Sequence, residues 1–174
     1  GKYLLIRLYG GDWLVFHFGM TGFFKYFKDL SQDTDHDSIR FDFTNGMHLA
    51  YDCTRKLGQV QLVRDPRAFL QGKDLGQDPL DPDLTQDRFL DLFSSRRGKV
   101  KSQLMNQSVL AGLGNIYSDE ILFQAGIHPG RQVQSLSREE LIRIFQAMHQ
   151  VIETAVDNQA DPDRLPERFL IPRR

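Results

Sequence analysis

The sequence predicts an α+β protein: a partial antiparallel β-sandwich followed by a helical region. Three observations carry that expectation. Short apolar runs separated by turn signals fill the first third of the chain. The composition changes near residue 75, and from Asp83 onward apolar residues recur at helical spacing. A length of 174 residues suits one large domain or two small ones. The division expected here is 1–75 for the β part and 76–174 for the helical part.

Lys2 to Tyr9 reads as a strand, and Gly10-Gly11-Asp12 turns the chain into Trp13 to Phe18. Gly19 and Gly22 interrupt that run before Phe23 to Lys28, a further strand. Asp29 to Asp37 is polar and acidic and reads as a loop. In Ser38 to Phe43 the apolar residues Ile39, Phe41 and Phe43 alternate onto one face. Asn45-Gly46 then leads into Met47 to Tyr51, as in a hairpin whose type I′ turn needs positive φ at both central residues. Gln59 to Val63 completes the strands. Gly76 to Pro82 reads as a linker. Helices are expected over Leu84 to Phe93, Lys99 to Asn106 and Asn115 to Ala125, the last closed by Gly126 and Pro129. A fourth opens on the capping box Ser137-Arg138-Glu139-Glu140, with Leu136 and Leu141 spaced as a hydrophobic staple. Leu141, Ile144, Phe145, Met148, Val151, Ile152 and Ala155 line one face of it.

Hydrophobic residues make up 40% and charged residues 26%, which sets disordered and collagen-like classes aside. The formal net charge is −1. That sum taken alone argues against a strongly basic domain, but it hides segregation. Asp29 to Asp42 and Asp74 to Asp91 are acidic, whereas Arg96 to Lys101 is basic, and binding responds to the local field. The single Cys53 permits no internal disulfide and fits a reducing, cytoplasmic setting. No apolar run approaches the ~18 residues of a membrane span. No two of the five histidines stand at metal-ligand spacing, and hydrolase and nucleotide-binding motifs are absent.

Two segments draw attention. Ser94 to Lys101 carries Arg96, Arg97, Lys99 and Lys101 without an acid. The plain reading is a solvated helix start, but positive charge there opposes the helix dipole and is mildly unfavourable for stability, a choice that phosphate binding would explain. Ala111 to Tyr117 leads two glycines into a helix, a turn whose free amides suit phosphate. Asn115 there is read as a phosphate contact or a simple N-cap.

Gln107 to Pro129, with GLGNIY, Asp119-Glu120 and AGIHP in order, closely resembles the helix–two-turn–helix motif of the formamidopyrimidine-DNA glycosylase and endonuclease VIII family. The resemblance spans nearly the whole chain. Gly1 to Leu5 is similar to the family's G-K-Y-L strand, His17 to Gly22 (HFGMTG) to its H-L-G-M-S-G segment, and Asp35 to Asp37 to its K-H-D-H segment.

The resemblance implies base-excision repair: removal of oxidised bases by base flipping, followed by nicking at the abasic site. Lys2 matches a catalytic lysine implicated in β-elimination. His17 and His36 match histidines that contact DNA, and Met20 matches the methionine that fills the void left by the flipped base. Arg55 matches an arginine that inserts toward the orphaned base. Leu57 replaces the family's wedge phenylalanine, and Cys53-Thr54 replaces its Asp-Pro. Arg96, Lys101 and Asn115 match positions that bind the DNA backbone. The family's nucleophile, an N-terminal proline amine, and its neighbouring glutamate are not in this chain, which begins inside the family pattern.

The partner implied is double-stranded DNA holding oxidised bases or abasic sites, bound by a bacterial monomer. No cofactor is expected in this chain. One structural zinc is expected in the four-cysteine finger of a full-length protein, which the segment from Leu165 to Arg174 approaches. By itself the chain is expected to be inactive. A non-catalytic DNA-binding remnant or paralogue is the alternative. RNA binding by the helical half is a third reading, against which His17, Met20 and Arg55 argue.

Overall fold

Six strands and five α-helices follow one another in the computed structural model, which describes residues 2–33 and 35–173. They divide into two compact units, Lys2–Lys73 and a second from Asp74 to the C-terminal end.

The first unit is two three-stranded antiparallel sheets. One orders its strands β1 (Tyr3–Arg7), β2 (Trp13–His17), β6 (Gln59–Val63), and the other β3 (Phe23–Phe27), β5 (His48–Asp52), β4 (Asp37–Asp42). Alternation decides which side chains meet. Phe16 points from β2 toward the second sheet and meets Phe24, Phe41 and Tyr51 edge-on at ring separations of 5.0–6.3 Å. Edge-to-face arrangements suit the aromatic quadrupole. The opposite face of the first sheet is covered by α1 (Pro66–Gln71), whose Phe69 packs edge-on against Tyr3. This helix was not foreseen. Its signal is Asp65-Pro66, since Asp65 accepts from the amides of Arg67 and Ala68 while Pro66 takes the first turn.

The Asn45-Gly46 hairpin forms, but its turn is not type I′. Gly46 has φ 78° and Asn45 does not share its positive φ. The loop has three residues, closed by a bond from the Phe43 amide to the Met47 carbonyl (2.9 Å), and the Asn45 side chain accepts from the Met47 amide (3.0 Å). That side-chain bond supplies locally what a second left-handed residue would have supplied.

The second unit is built on α2 (Gln86–Ser94), α3 (Val100–Leu104), α4 (Asn115–Ala125) and α5 (Arg138–Asp157). Phe89, Phe93, Leu104, Ile121, Ile144 and Met148 belong to one deep core and are fully buried. The capping box is made in both directions, Glu140 N to Ser137 Oγ at 3.2 Å and Ser137 N to Glu140 Oε2 at 2.8 Å. Leu136 and Leu141 join the same core. Gly126 closes α4 in the left-handed region. The segment read as a linker is pinned to the helical unit: the Gly76 amide donates to Gln107 O, and Gln77 bridges to Leu110.

Candidate nucleic-acid interface

In the β unit, two loops carry most of the residues singled out. One runs from His17 to Gly22 and the other from Cys53 to Gly58. They touch backbone to backbone, because a Cβ on Gly19 would lie 2.8 Å from the Leu57 carbonyl carbon. Tyr51 is wedged beneath both and donates from its hydroxyl to His17 O at 3.1 Å. The approach is so close that a Cβ on Gly58 would overlap that hydroxyl. Burial, and then the neighbouring Cys53, pushes the Tyr51 phenol up to about 12, so it stays a donor at any physiological pH.

On this base stand three exposed side chains. Met20 is 74% exposed and Leu57 55% exposed, far above what such apolar groups need for packing. The Arg55 guanidinium reaches to 3.9 Å from the Met20 sulfur, and the Arg55 amide meets Thr21 Oγ1 at 3.4 Å. Two apolar probes and a cation therefore rise from one small platform.

His17 ends β2 beside this cluster. Its Nδ1 accepts the Gly19 amide at 3.2 Å, which leaves Nε2 to carry the proton and donate outward. Burial, then the charges of Lys2 and Lys73, hold its pKa below the ordinary histidine value. Lys2 thus lies within electrostatic reach of His17, at the exposed start of β1. His36 sits in an exposed turn, and its carbonyl accepts the Cys53 amide at 3.1 Å, so it joins the second loop through the backbone.

In the helical unit, the N-cap of α4 is Gly114, and no side chain caps the helix. The N-cap reading of Asn115 is therefore corrected. Asn115 is the first helical residue, exposed, and its amide side chain makes no hydrogen bond among the described residues. Uncapped amides and an outward carboxamide share one exposed helix start. Lys101 is paired with Asp119 (2.6 Å), which lies one turn along α4 from Asn115 on the same face. Arg96 is half-buried, and its Nε reaches Leu92 O at 3.4 Å. Among the described residues no hydrogen bond or ion pair joins it to Lys101 or Asn115.

Sequence reasoning passed over two supporting residues. The Gln107 side chain accepts from the Gly112 amide (3.0 Å) and donates to the carbonyls of Leu113 (2.8 Å) and Met105 (2.9 Å), bracing the glycine turn. Glu120, half of a noted acidic pair, is fully buried. Its carboxylate receives the amides of Leu170 (2.7 Å) and Ile171 (3.0 Å) and the Gln124 side chain (2.8 Å). A single carboxylate accepting several N–H groups is a satisfied buried charge. No local signal separates it from its neighbour Asp119. Among the described residues no group of His, Cys, Asp and Glu could hold a metal ion, and Cys53 is buried. These residues do not fit a zinc site. Among the described residues no helix is long and apolar enough to cross a membrane.

Fold and site together define a class: a two-sheet unit with loop-borne probes, followed by a helix–two-turn–helix unit. Residues 1–60 match the formamidopyrimidine-DNA glycosylase N-terminal domain, and residues 75–164 match the formamidopyrimidine-DNA glycosylase H2TH domain. The chain belongs to the formamidopyrimidine-DNA glycosylase family.

Among similar proteins, the formamidopyrimidine-DNA glycosylase of Moorella thermoacetica is 37% identical over 161 residues, covering 91% of this chain and 59% of that protein. That of Pelobacter propionicus is 36% identical over 160 residues, covering 90% and 59%. The chain thus spans about 59% of the length of these relatives. The Lactococcus lactis enzyme, non-covalently bound to DNA containing an abasic site, superposes with a TM-score of 0.81 at 27% identity, covering 90% of this chain and 60% of that one. The same enzyme with DNA containing Fapy-dG gives a TM-score of 0.81 at 26% identity, with the same coverage.

Proposed function

We infer that this chain is the lesion-probing and backbone-gripping part of a base-excision repair enzyme, a DNA glycosylase with abasic-site lyase activity. One observation carries the reading: Met20, Arg55 and Leu57 rise together from two touching loops. Flipping a damaged nucleotide out of duplex DNA costs a few kcal/mol of stacking and pairing. Side chains that fill the vacated space offset that cost. Met20 is flexible and polarizable enough to fill it, Leu57 can wedge between bases, and the Arg55 guanidinium can donate to the orphaned base.

The backbone grip is supplied by groups that need no sequence information. The α4 amides, Asn115 and the Nε2 of His17 donate to phosphate, while Lys2, Arg96 and Lys101 contribute charge. Lys101 would trade its bond to Asp119 for phosphate or serve to orient α4. The family resemblance implies a covalent step by a proline amine beside a glutamate. An amine nucleophile beside a carboxylate suits Schiff-base chemistry.

Binding to matched duplexes with and without an abasic-site analogue tests the reading. The chain should prefer the abasic duplex, Arg55→Ala and Leu57→Ala should reduce that preference, and Asn115→Ala should weaken both duplexes alike. Affinity should fall steeply as salt rises, because phosphate contacts release counterions. Borohydride should trap no covalent adduct with the chain as given. Equal binding to both duplexes sinks the lesion-probing role, and a trapped adduct shows that residues 1–174 hold a nucleophile of their own.

A further inference from the structure

We propose that Cys53 is the positioning residue of the lesion-probing loop, its sulfur accepting the Gly58 amide and so closing the loop that carries Arg55 and Leu57. This rests on the reading of that loop given above.

Cys53 is 2% exposed, at the point where β5 gives way to the loop. The Gly58 amide donates to its sulfur at 3.3 Å. Burial alone would push the thiol up. The Gly58 amide and the other dipoles around the sulfur outweigh burial and hold it below the usual value. The residue's own backbone is used at both ends. Its amide donates to His36 O (3.1 Å), and its carbonyl accepts the Lys56 amide (2.9 Å). Lys56 has φ 50°, a left-handed conformation that a lysine holds only when its surroundings over-determine it. The sulfur and carbonyl of Cys53 supply that constraint from inside the loop.

A sulfur that accepts a backbone N–H a few residues ahead makes the local bonding that shapes turns. Plain packing makes the opposite demand, since buried cysteine otherwise behaves as a small apolar residue. Packing would favour alanine or valine over serine, and an acceptor role favours serine over both.

The test compares Cys53→Ala, Cys53→Val and Cys53→Ser in the full chain by two readouts. One is hydrogen exchange at the Leu57 and Gly58 amides, with β2 and β5 amides reporting that the sheets persist. The other is the binding ratio of abasic to undamaged duplex. Cys53→Ala should speed Gly58 exchange about tenfold, the factor that corresponds to one lost amide bond. It should lower the binding ratio in step and leave undamaged-duplex binding unchanged, and Cys53→Ser should restore both. Should Cys53→Ala or Cys53→Val lose the sheets while Cys53→Ser keeps them, the acceptor role stands. Valine matching or exceeding serine overturns it, as does an abasic preference that survives Cys53→Ala. A wild-type chain without abasic preference refutes the lesion-probing reading itself, and the positioning role falls with it.

Discussion

The two units present their candidate contacts in opposite ways. The β unit offers side chains: Met20, Arg55, Leu57 and His17 project from loops fixed by close backbone approach, over a small aromatic core around Phe16 and Tyr51. The helical unit offers backbone: the uncapped start of α4, braced by Gln107 and set on a deep core. Side chains suit a task that must distinguish a damaged site, because their shape and chemistry can be matched to a gap. Backbone amides suit a grip that must work anywhere along the duplex.

The comparison breaks first at the deep core. Phe93 is fully buried and stacked on Phe89 at 4.4 Å. Phe93→Ala should cost about 3–5 kcal/mol. Urea unfolding followed by amide exchange should show the loss in α2, α4 and α5 and spare the β5 amides. Equal loss in both units would mean that they fold as one cooperative body.

Gly58→Ala should come next, at about 1–3 kcal/mol from overpacking against Tyr51. Its damage should lie in the probe loops, with Tyr51→Phe relieving part of it. A neutral Gly58→Ala would show that the platform is loose and the side chains are not preset. Ser137→Ala removes one arm of the capping box and should cost about 1 kcal/mol, confined to the helical unit. A shift in Tm below the noise would mean that the start of α5 is held by packing alone.

The smallest effect is pH dependence at His17. Its folded pKa is depressed below 6.5, so the neutral ring is the favoured native form. Its contribution to stability is present above pH 6.5 and fades as pH falls through the folded value. Wild type should lose more stability between pH 7 and pH 5 than His17→Gln does. Added salt should narrow the gap by screening Lys2 and Lys73. Identical pH profiles for the two proteins would remove the electrostatic account of this residue.

Much of the fold was legible because its signals are local. The run Gln59–Val63 and the helix Asn115–Ala125 match their expected bounds, and Ser137 to Glu140 makes the reciprocal cap that its spacing implies. Misreadings fell where a side chain rewrote a backbone preference. Asn45 satisfied its turn through an amide bond to Met47, Gly114 took the cap expected of Asn115, and Asp65 nucleated a helix too short to show periodicity. The candidate site was legible as a set of residues only through its family resemblance, since spacing alone says nothing of Met20 meeting Arg55, thirty-five positions away.

The sequence by itself determined the six strands and the helices α2 to α5, where the composition divides the chain, and where α5 begins. Those properties depend on neighbours within a turn or a strand, where hydrophobic period and capping act directly. Tertiary structure alone decided that Glu120 is a buried anchor for Leu170 and Ile171 while Asp119 holds Lys101, and that Cys53 lies beneath the loop of Arg55 and Leu57. Each of these depends on groups brought together by folding, whose burial and hydrogen bonds have no counterpart in the order of the residues along the chain.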